Sequence, residues 1–231
     1  MLSLYHIIDA IFPKQCFNCH KIIERKSLIC EDCLKKVPIN NTLFCSLCRA
    51  RLANNKKICH RQQKYLLAAA TAYSGLAKEL IWQFKYGKKT SAGHPLGAIA
   101  SEYLNNLGLE FKNFSVVPIA LHKKRQRQRG FNQAEILAKA ISKKLSLPLL
   151  TGALTRIKET SAQMKLESRE SRYKNLKDAF MITLISEIEG KNILLVDDVV
   201  TSGATFNEAV RALKNAGAKK IIALAVAKAG T

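Results

Sequence analysis

Residues 193–206 place a short apolar run, Ile193 to Val196, directly before the paired carboxylates Asp197 and Asp198, then follow them with the small, hydroxyl-rich Thr201 to Thr205. This order constrains the fold more than anything else in the chain. A continuous β-prone run suits a strand buried on both faces of a parallel sheet, and ligands dock at the carboxyl ends of such strands. Thr201, Ser202 and Thr205 can donate hydroxyl hydrogen bonds to phosphate oxygens, Gly203 lets the backbone approach closely, and the helix opening after it offers unpaired N–H groups to an anion. Asp197 and Asp198 are left to face a sugar, so the string best suits a phosphorylated sugar. Phe206, Ala209, Val210 and Leu213 recur at helical spacing, Gly217 stops that helix, and Ile221 to Ala227 is a second apolar run. The sequence therefore predicts a strand, loop, helix, strand unit.

Paired aspartates also end strands in flavodoxin-like receivers and Mg-dependent phosphatases. The loop argues against both. As one string, residues 193–206 resemble the phosphoribosyl pyrophosphate (PRPP) binding motif of type I phosphoribosyltransferases. That resemblance implies that Asp197 and Asp198, the catalytic pair, hydrogen-bond the ribose hydroxyls. It also implies that Thr201, Ser202, Gly203, Ala204 and Thr205 hold the 5-phosphate, with Mg²⁺ carried on the pyrophosphate of the substrate.

With 231 residues and 48% hydrophobic content, the chain can bury one α/β core plus a small appendage. The formal net charge of +21 is spread over the chain rather than held in a lysine tail, which points to polyanionic partners. No run reaches the roughly 18 apolar residues of a membrane span. The opening segment interrupts its apolar stretch with His6 and Asp9, and Leu4, Ile7, Ile8, Ile11 and Phe12 form a helical stripe. A docking helix is expected there rather than a signal peptide.

All 7 cysteines precede residue 60, as Cys16 with Cys19, Cys30 with Cys33, Cys45 with Cys48, and Cys59. Cys16 to Cys45, Cys19 to Cys48 and Cys30 to Cys59 are each 29 positions apart, so the region reads as two copies of one unit. A disulfide framework needs an oxidising compartment and usually an even count, neither of which holds here, and no pair stands between a strand and a helix as a thioredoxin-like redox motif would. Paired knuckles instead supply four thiolates to one tetrahedral ion, and a segment this polar has little core to fold it without metal. Cys16, Cys19, Cys30 and Cys33 are expected to hold Zn²⁺. In the second copy, Gln62 stands where the eighth cysteine belongs. The fourth position beside Cys45, Cys48 and Cys59 is left to His60, to water, or to a site that has decayed.

Two further segments carry chemistry. Ser115 to Gln133 reads as a strand, a cationic loop and a helix start capped by Asn132, with Leu137, Ala138, Ile141 and Leu145 as the apolar face. Lys123, Lys124, Arg125, Arg127 and Arg129 crowd together with no acid among them, a self-repulsion that an anion would offset. Arg156 to Phe180 lacks a strong apolar period over most of its length and reads as a long functional loop closing over the phosphate site. Upstream, Leu76, Leu80, Ile81 and Phe84 form an amphipathic helix that Lys85 and Tyr86 close.

In this order, Lys85-Tyr86-Gly87, Arg125 with Arg129 to Gln133, Arg156 with Thr160 and Gln163, and Asp197 to Thr205 resemble the ComF family over nearly the whole chain. The departure is Gln62. The expected architecture is a zinc ribbon over residues 1–64, a degenerate double ribbon, followed over 65–231 by a type I phosphoribosyltransferase fold. That α/β fold is a twisted, mainly parallel sheet flanked by helices. The resemblance implies PRPP as a ligand bound by Lys85, Arg125, Arg129 and residues 201–205, a lid carrying Arg156, Thr160 and Gln163, structural Zn²⁺, and Mg²⁺ with PRPP. It further implies a cytoplasmic protein of natural transformation that handles incoming single-stranded DNA, with a competence-associated DNA helicase as a partner. The alternative is a metabolic, Mg-dependent phosphoribosyltransferase acting on a nitrogen nucleophile, with no direct role in DNA. Only five residues follow Val226, with no recognisable nucleobase-specificity hood among them. The acceptor and the oligomeric state are not legible.

Overall fold

The computed structural model describes residues 13–23, 27–53, 59–159 and 178–230. The stripe expected over residues 4–12, together with Thr160 and Gln163, lies outside the described residues. In chain order the strands are β1 (Phe44–Cys45), β2 (Leu66–Ala72), β3 (Phe114–Pro118), β4 (Leu154–Arg156), β5 (Phe180–Ile182), β6 (Asn192–Val200) and β7 (Lys220–Lys228). The α-helices are α1 (Glu31–Leu34), α2 (Gly75–Lys85), α3 (Gly93–Asn106), α4 (Lys123–Arg129), α5 (Gln133–Leu145), α6 (Ile185–Ile188) and α7 (Ala204–Asn215).

The main sheet runs β1-β2-β7-β6-β3, parallel throughout except for β1, while β4 and β5 form a separate antiparallel pair. Ile193, Leu194, Leu195 and Val196 are all fully buried because both faces of the sheet are covered. Alternation along β6 sends Leu194 and Val196 toward Leu80, Phe84, Leu96, Leu137 and Ile141 of α2, α3 and α5. Ile193 and Leu195 face Phe206, Ala209, Val210 and Leu213 of α7 instead. Burying one such side chain contributes about 1.5–3 kcal/mol, so these two layers fix where the apolar run of β6 gives way to its acids. Among the described residues, no helix is long and apolar enough to cross a membrane.

Two expectations change in the structure. The strand does not stop at Val196; it runs through both acids to Val200, with Asp197 opposite Ala225 and Val199 opposite Ala227 of β7. Pairing with a long central neighbour carries the ladder past the change from apolar to acidic residues. The cationic segment is a helix rather than a loop. Lys, Arg and Gln are good helix formers, His122 Nδ1 accepts from the Lys124 N–H at 3.3 Å, and Gly130 ends the turn at a φ of 87°. Asn132 caps α5 as expected, its side chain accepting from the Ala134 N–H at 3.2 Å.

The ribbon is joined to the edge of the sheet. β1 pairs with β2, Asn40 donates through Nδ2 to the Ala69 carbonyl at 2.8 Å, and Thr71 Oγ1 donates to the Pro38 carbonyl at 2.6 Å. Tyr103 of α3 donates its hydroxyl to the Thr42 carbonyl at 2.7 Å. The duplication read from cysteine spacing is realised in the backbone. Cys16 N–H to Lys21 O at 2.8 Å is repeated as Cys45 N–H to Ala50 O at 2.9 Å, and Ile23 N–H to Lys14 O at 2.8 Å as Leu52 N–H to Leu43 O at 2.8 Å.

Candidate functional site

A cleft of about 510 Å³ opens at the carboxyl ends of β3 and β6. The buried Asp198 and the partly exposed Asp197 lie in it at the end of β6. Burial, and then the negative charge of Asp198, push the Asp197 carboxyl up to about 7. The Asp198 N–H donates to Asp197 Oδ1 at 2.8 Å, which orients that carboxylate.

Four cations from three elements converge on these acids. Lys85, the last residue of α2, places Nζ 2.8 Å from Asp198 Oδ1. Burial works to lower the Lys85 ammonium, but the charges of Asp198 and Asp197 outweigh it and hold it above its ordinary value. Arg125 and Arg129 sit four residues apart on α4 and both border the cleft. Burial, followed by the like charge of Arg129, pulls the Arg125 guanidinium down. Arg156, at the end of β4, is only 8% exposed on the cleft wall, and burial followed by Arg125 lowers it to about 10. Its guanidinium lies over the Phe180 ring, 5.6 Å from the centroid. Arg129 Nη1 donates to Gln133 Oε1 at 2.7 Å, whereas the buried Gln133 Nε2, also on the cleft, has no protein partner among the described residues. An orphaned buried amide beside four cations suits an oxygen-rich anionic ligand. The remaining cations of α4 do not face the cleft: Lys123 and Arg127 are exposed, and Lys124 pairs with Glu159 at 2.9 Å.

Of the hydroxyl loop, Thr205 borders the cleft, while Thr201, Ser202, Gly203 and Ala204 turn around the end of β6 into α7. Gly203 has a φ of 74°, a conformation that side chains resist, and the first turn of α7 directs its N–H groups into this bend. One residue here carried no signal in the sequence reading. Arg49, from the ribbon, donates from Nη1 to the Thr201 carbonyl at 2.8 Å across 152 positions of sequence. Spacing alone cannot announce such a contact. The half-exposed Trp82 and Tyr86, with ring centroids 6.0 Å apart, were also missed as a pair, and Tyr86 borders the cleft. Phe44 and Tyr65, by contrast, are buried in the core.

In the ribbon, the ligand atoms of Cys16, Cys19, Cys30 and Cys33 lie within 4.8 Å of one another, as do those of Cys45, Cys48, Cys59 and His60. Cys19 to Cys30 and Cys48 to Cys59 are each 3.6 Å between sulfurs, close to the ~3.8 Å edge of a tetrahedron with Zn–S bonds of about 2.3 Å. His60 Nδ1 is 3.4 Å from Cys45 Sγ and takes the place that Gln62 leaves. Four sulfurs, or three sulfurs and an imidazole, are donor sets that structural zinc accepts, so the residues fit the metal.

Residues 97–231 match the family described as the phosphoribosyl transferase domain, and residues 7–63 match that described as the double zinc ribbon domain. Competence protein F of Haemophilus influenzae is 35% identical over 116 residues, 50% of each chain. DNA utilization protein YhgH of Escherichia coli is 30% identical over 202 residues, 84% of this chain and 87% of that one. Competence protein ComFC of Bacillus subtilis is 26% identical over 208 residues, 88% of this chain and 79% of that one. With a double zinc ribbon and a phosphoribosyltransferase domain matched in order, and a relative aligned over most of both chains, this protein belongs to the ComF family.

Proposed function

We propose that the cleft binds PRPP and that the protein serves the handling of incoming single-stranded DNA during natural transformation, in the cytoplasm. The observation that carries the first part is the convergence of Lys85, Arg125, Arg129 and Arg156 on the Asp197 and Asp198 pair in one cleft that Thr205 also borders. The acids accept hydrogen bonds from the ribose hydroxyls. The bend over residues 201–205 receives the 5-phosphate, with the α7 N-terminus contributing its dipole. Lys85, Arg125 and Arg129 face the pyrophosphate, and Mg²⁺ bound to that pyrophosphate offsets its remaining charge. Calorimetric titration with PRPP and Mg²⁺ tests this: wild type should bind, and Asp197→Ala with Asp198→Ala should abolish binding. Unchanged affinity in the double variant rules out the site.

Support for the DNA role comes from the competence and DNA utilization names of the relatives, and from the formal charge of +21. Exposed Lys35, Lys36, Lys64, Lys123 and Arg127 can meet a phosphate backbone, and the Trp82 and Tyr86 rings offer stacking faces for bases.

The same cations that bind the pyrophosphate would also stabilise its departure if a nitrogen nucleophile displaced it from C1 of the ribose. Release of pyrophosphate that depends on an added base, amine or single-stranded DNA would establish an enzyme. Binding without release leaves PRPP as a regulatory ligand.

A further inference from the structure

We infer that Arg49, although it belongs to the zinc ribbon, is a component of the phosphate loop, and that a metal ion on Cys45, Cys48, Cys59 and His60 thereby sets the affinity for the 5-phosphate of a phosphorylated ribose. This rests on the reading of the cleft as a PRPP site.

The backbone of Arg49 is fixed by the knuckle. It follows Cys48 directly, has a φ of 65°, and its N–H donates to the Cys45 carbonyl at 3.0 Å. The equivalent residue of the first copy, His20, has a φ of 59° and donates to the Cys16 carbonyl at 2.9 Å. The left-handed turn is thus a property of the repeated metal knuckle, and only in the second copy does it carry a guanidinium.

That guanidinium reaches the loop. Besides the bond from Nη1 to the Thr201 carbonyl, Nη2 lies 2.5 Å from where a Cβ on Gly203 would stand, with the Tyr65 hydroxyl 3.7 Å from the same point. The φ of 74° favours glycine at 203, and a Cβ there would push the guanidinium aside. The forked guanidinium suits a phosphate monoester better than a point charge would.

A second, independent observation is the crowding of like charge at this end of the sheet. Burial, and then the charges of Arg49 and Arg51, lower the Lys228 ammonium. Arg51 and Lys228 both lie over the Phe44 ring, at 5.4 and 5.7 Å from its centroid. Three cations held together by ribbon and sheet repel one another, and a bound dianion offsets that repulsion.

Metal at the second site holds Cys45 and Cys48 in the knuckle and so aims Arg49. The pyrophosphate end, served by Lys85, Arg125 and Arg129 on other elements, is independent of it. Loss of the metal should therefore weaken one end of the ligand and spare the other.

The test uses the full chain, with zinc content by elemental analysis and separate calorimetric titrations of ribose 5-phosphate and Mg-pyrophosphate. Wild type and Arg49→Ala should both hold about two zinc ions per chain. Arg49→Ala should bind ribose 5-phosphate about ten- to hundredfold more weakly, with pyrophosphate affinity changed by less than about twofold. His60→Ala should lose one zinc and show the same selective loss, His60→Cys should keep both metal and affinity, and Arg49→Ala with His60→Ala should be no weaker than Arg49→Ala alone. Wild-type affinity for ribose 5-phosphate in Arg49→Ala overturns the inference, as does His60→Ala that keeps either its full zinc or its full affinity. Should His60→Ala not fold, Arg49→Lys, expected between wild type and Arg49→Ala, decides with Arg49→Ala. A wild-type protein that binds neither ligand would instead overturn the PRPP reading itself.

Discussion

Lys85 Nζ lies 2.8 Å from Asp198 Oδ1, joining the last turn of α2 to β6 in the cleft. The pair is mostly shielded from water, so removing one partner leaves the other charged and uncompensated. Lys85→Ala should cost about 2–4 kcal/mol in urea unfolding, and adding Asp198→Ala should return part of that loss. Additive losses would show that the pair is not coupled.

Asp197 gives the chain a pH dependence of definite sign. Its carboxyl, raised from 3.8 to about 7 in the folded state, contributes stability that is fully present below the unfolded value and lost as pH rises through 7. Urea unfolding from pH 5 to pH 8 should show this decline, and Asp197→Asn should flatten it. The variant should gain on wild type at the alkaline end. An unchanged slope in Asp197→Asn would place the titration elsewhere.

Gly203 combines a φ of 74° with an approach of 2.5 Å by Arg49 Nη2 to its Cβ position. Gly203→Ala should lower stability by about 1–2 kcal/mol from backbone strain alone. It should also displace the guanidinium. Adding Arg49→Ala should then cause little further loss of ribose 5-phosphate affinity, measured by calorimetry, whereas a full additional loss would separate the two residues.

The outer and inner faces of α4 are expected to serve different anions. Lys123→Glu with Arg127→Glu should weaken single-stranded DNA binding and reduce its salt dependence, which follows a slope of about −0.7 per phosphate contact. PRPP affinity should be nearly unchanged. Fluorescence anisotropy across a salt series reads the first effect and calorimetry the second. Loss of PRPP binding in this variant would contradict the division of the helix.

The acids, the hydroxyl loop and the duplicated knuckles were legible because each is a local pattern: a strand ending in charge, a small-residue bend, a 29-residue spacing. The extension of β6 to Val200 was not, because it depends on pairing with β7 rather than on the hydropathy of Asp197 and Asp198. Residues 123–129 read as a loop because their charge concealed their helix propensity and the stop at Gly130. His60 could be named as a candidate ligand, but only the fold brings its ring nitrogen to 3.4 Å from Cys45 Sγ. Arg49 could not be found at all, since its role arises from β1 docking beside β2, which no spacing records.

A crystal structure of the full chain with PRPP and Mg²⁺ decides whether the cleft is a PRPP site. The 5-phosphate should lie in the bend over residues 201–205 beside Arg49, the ribose hydroxyls on Asp197 and Asp198, and the pyrophosphate facing Lys85, Arg125 and Arg129. A phosphate bound away from that bend, or a saturated crystal whose cleft holds no ligand, would contradict this placement.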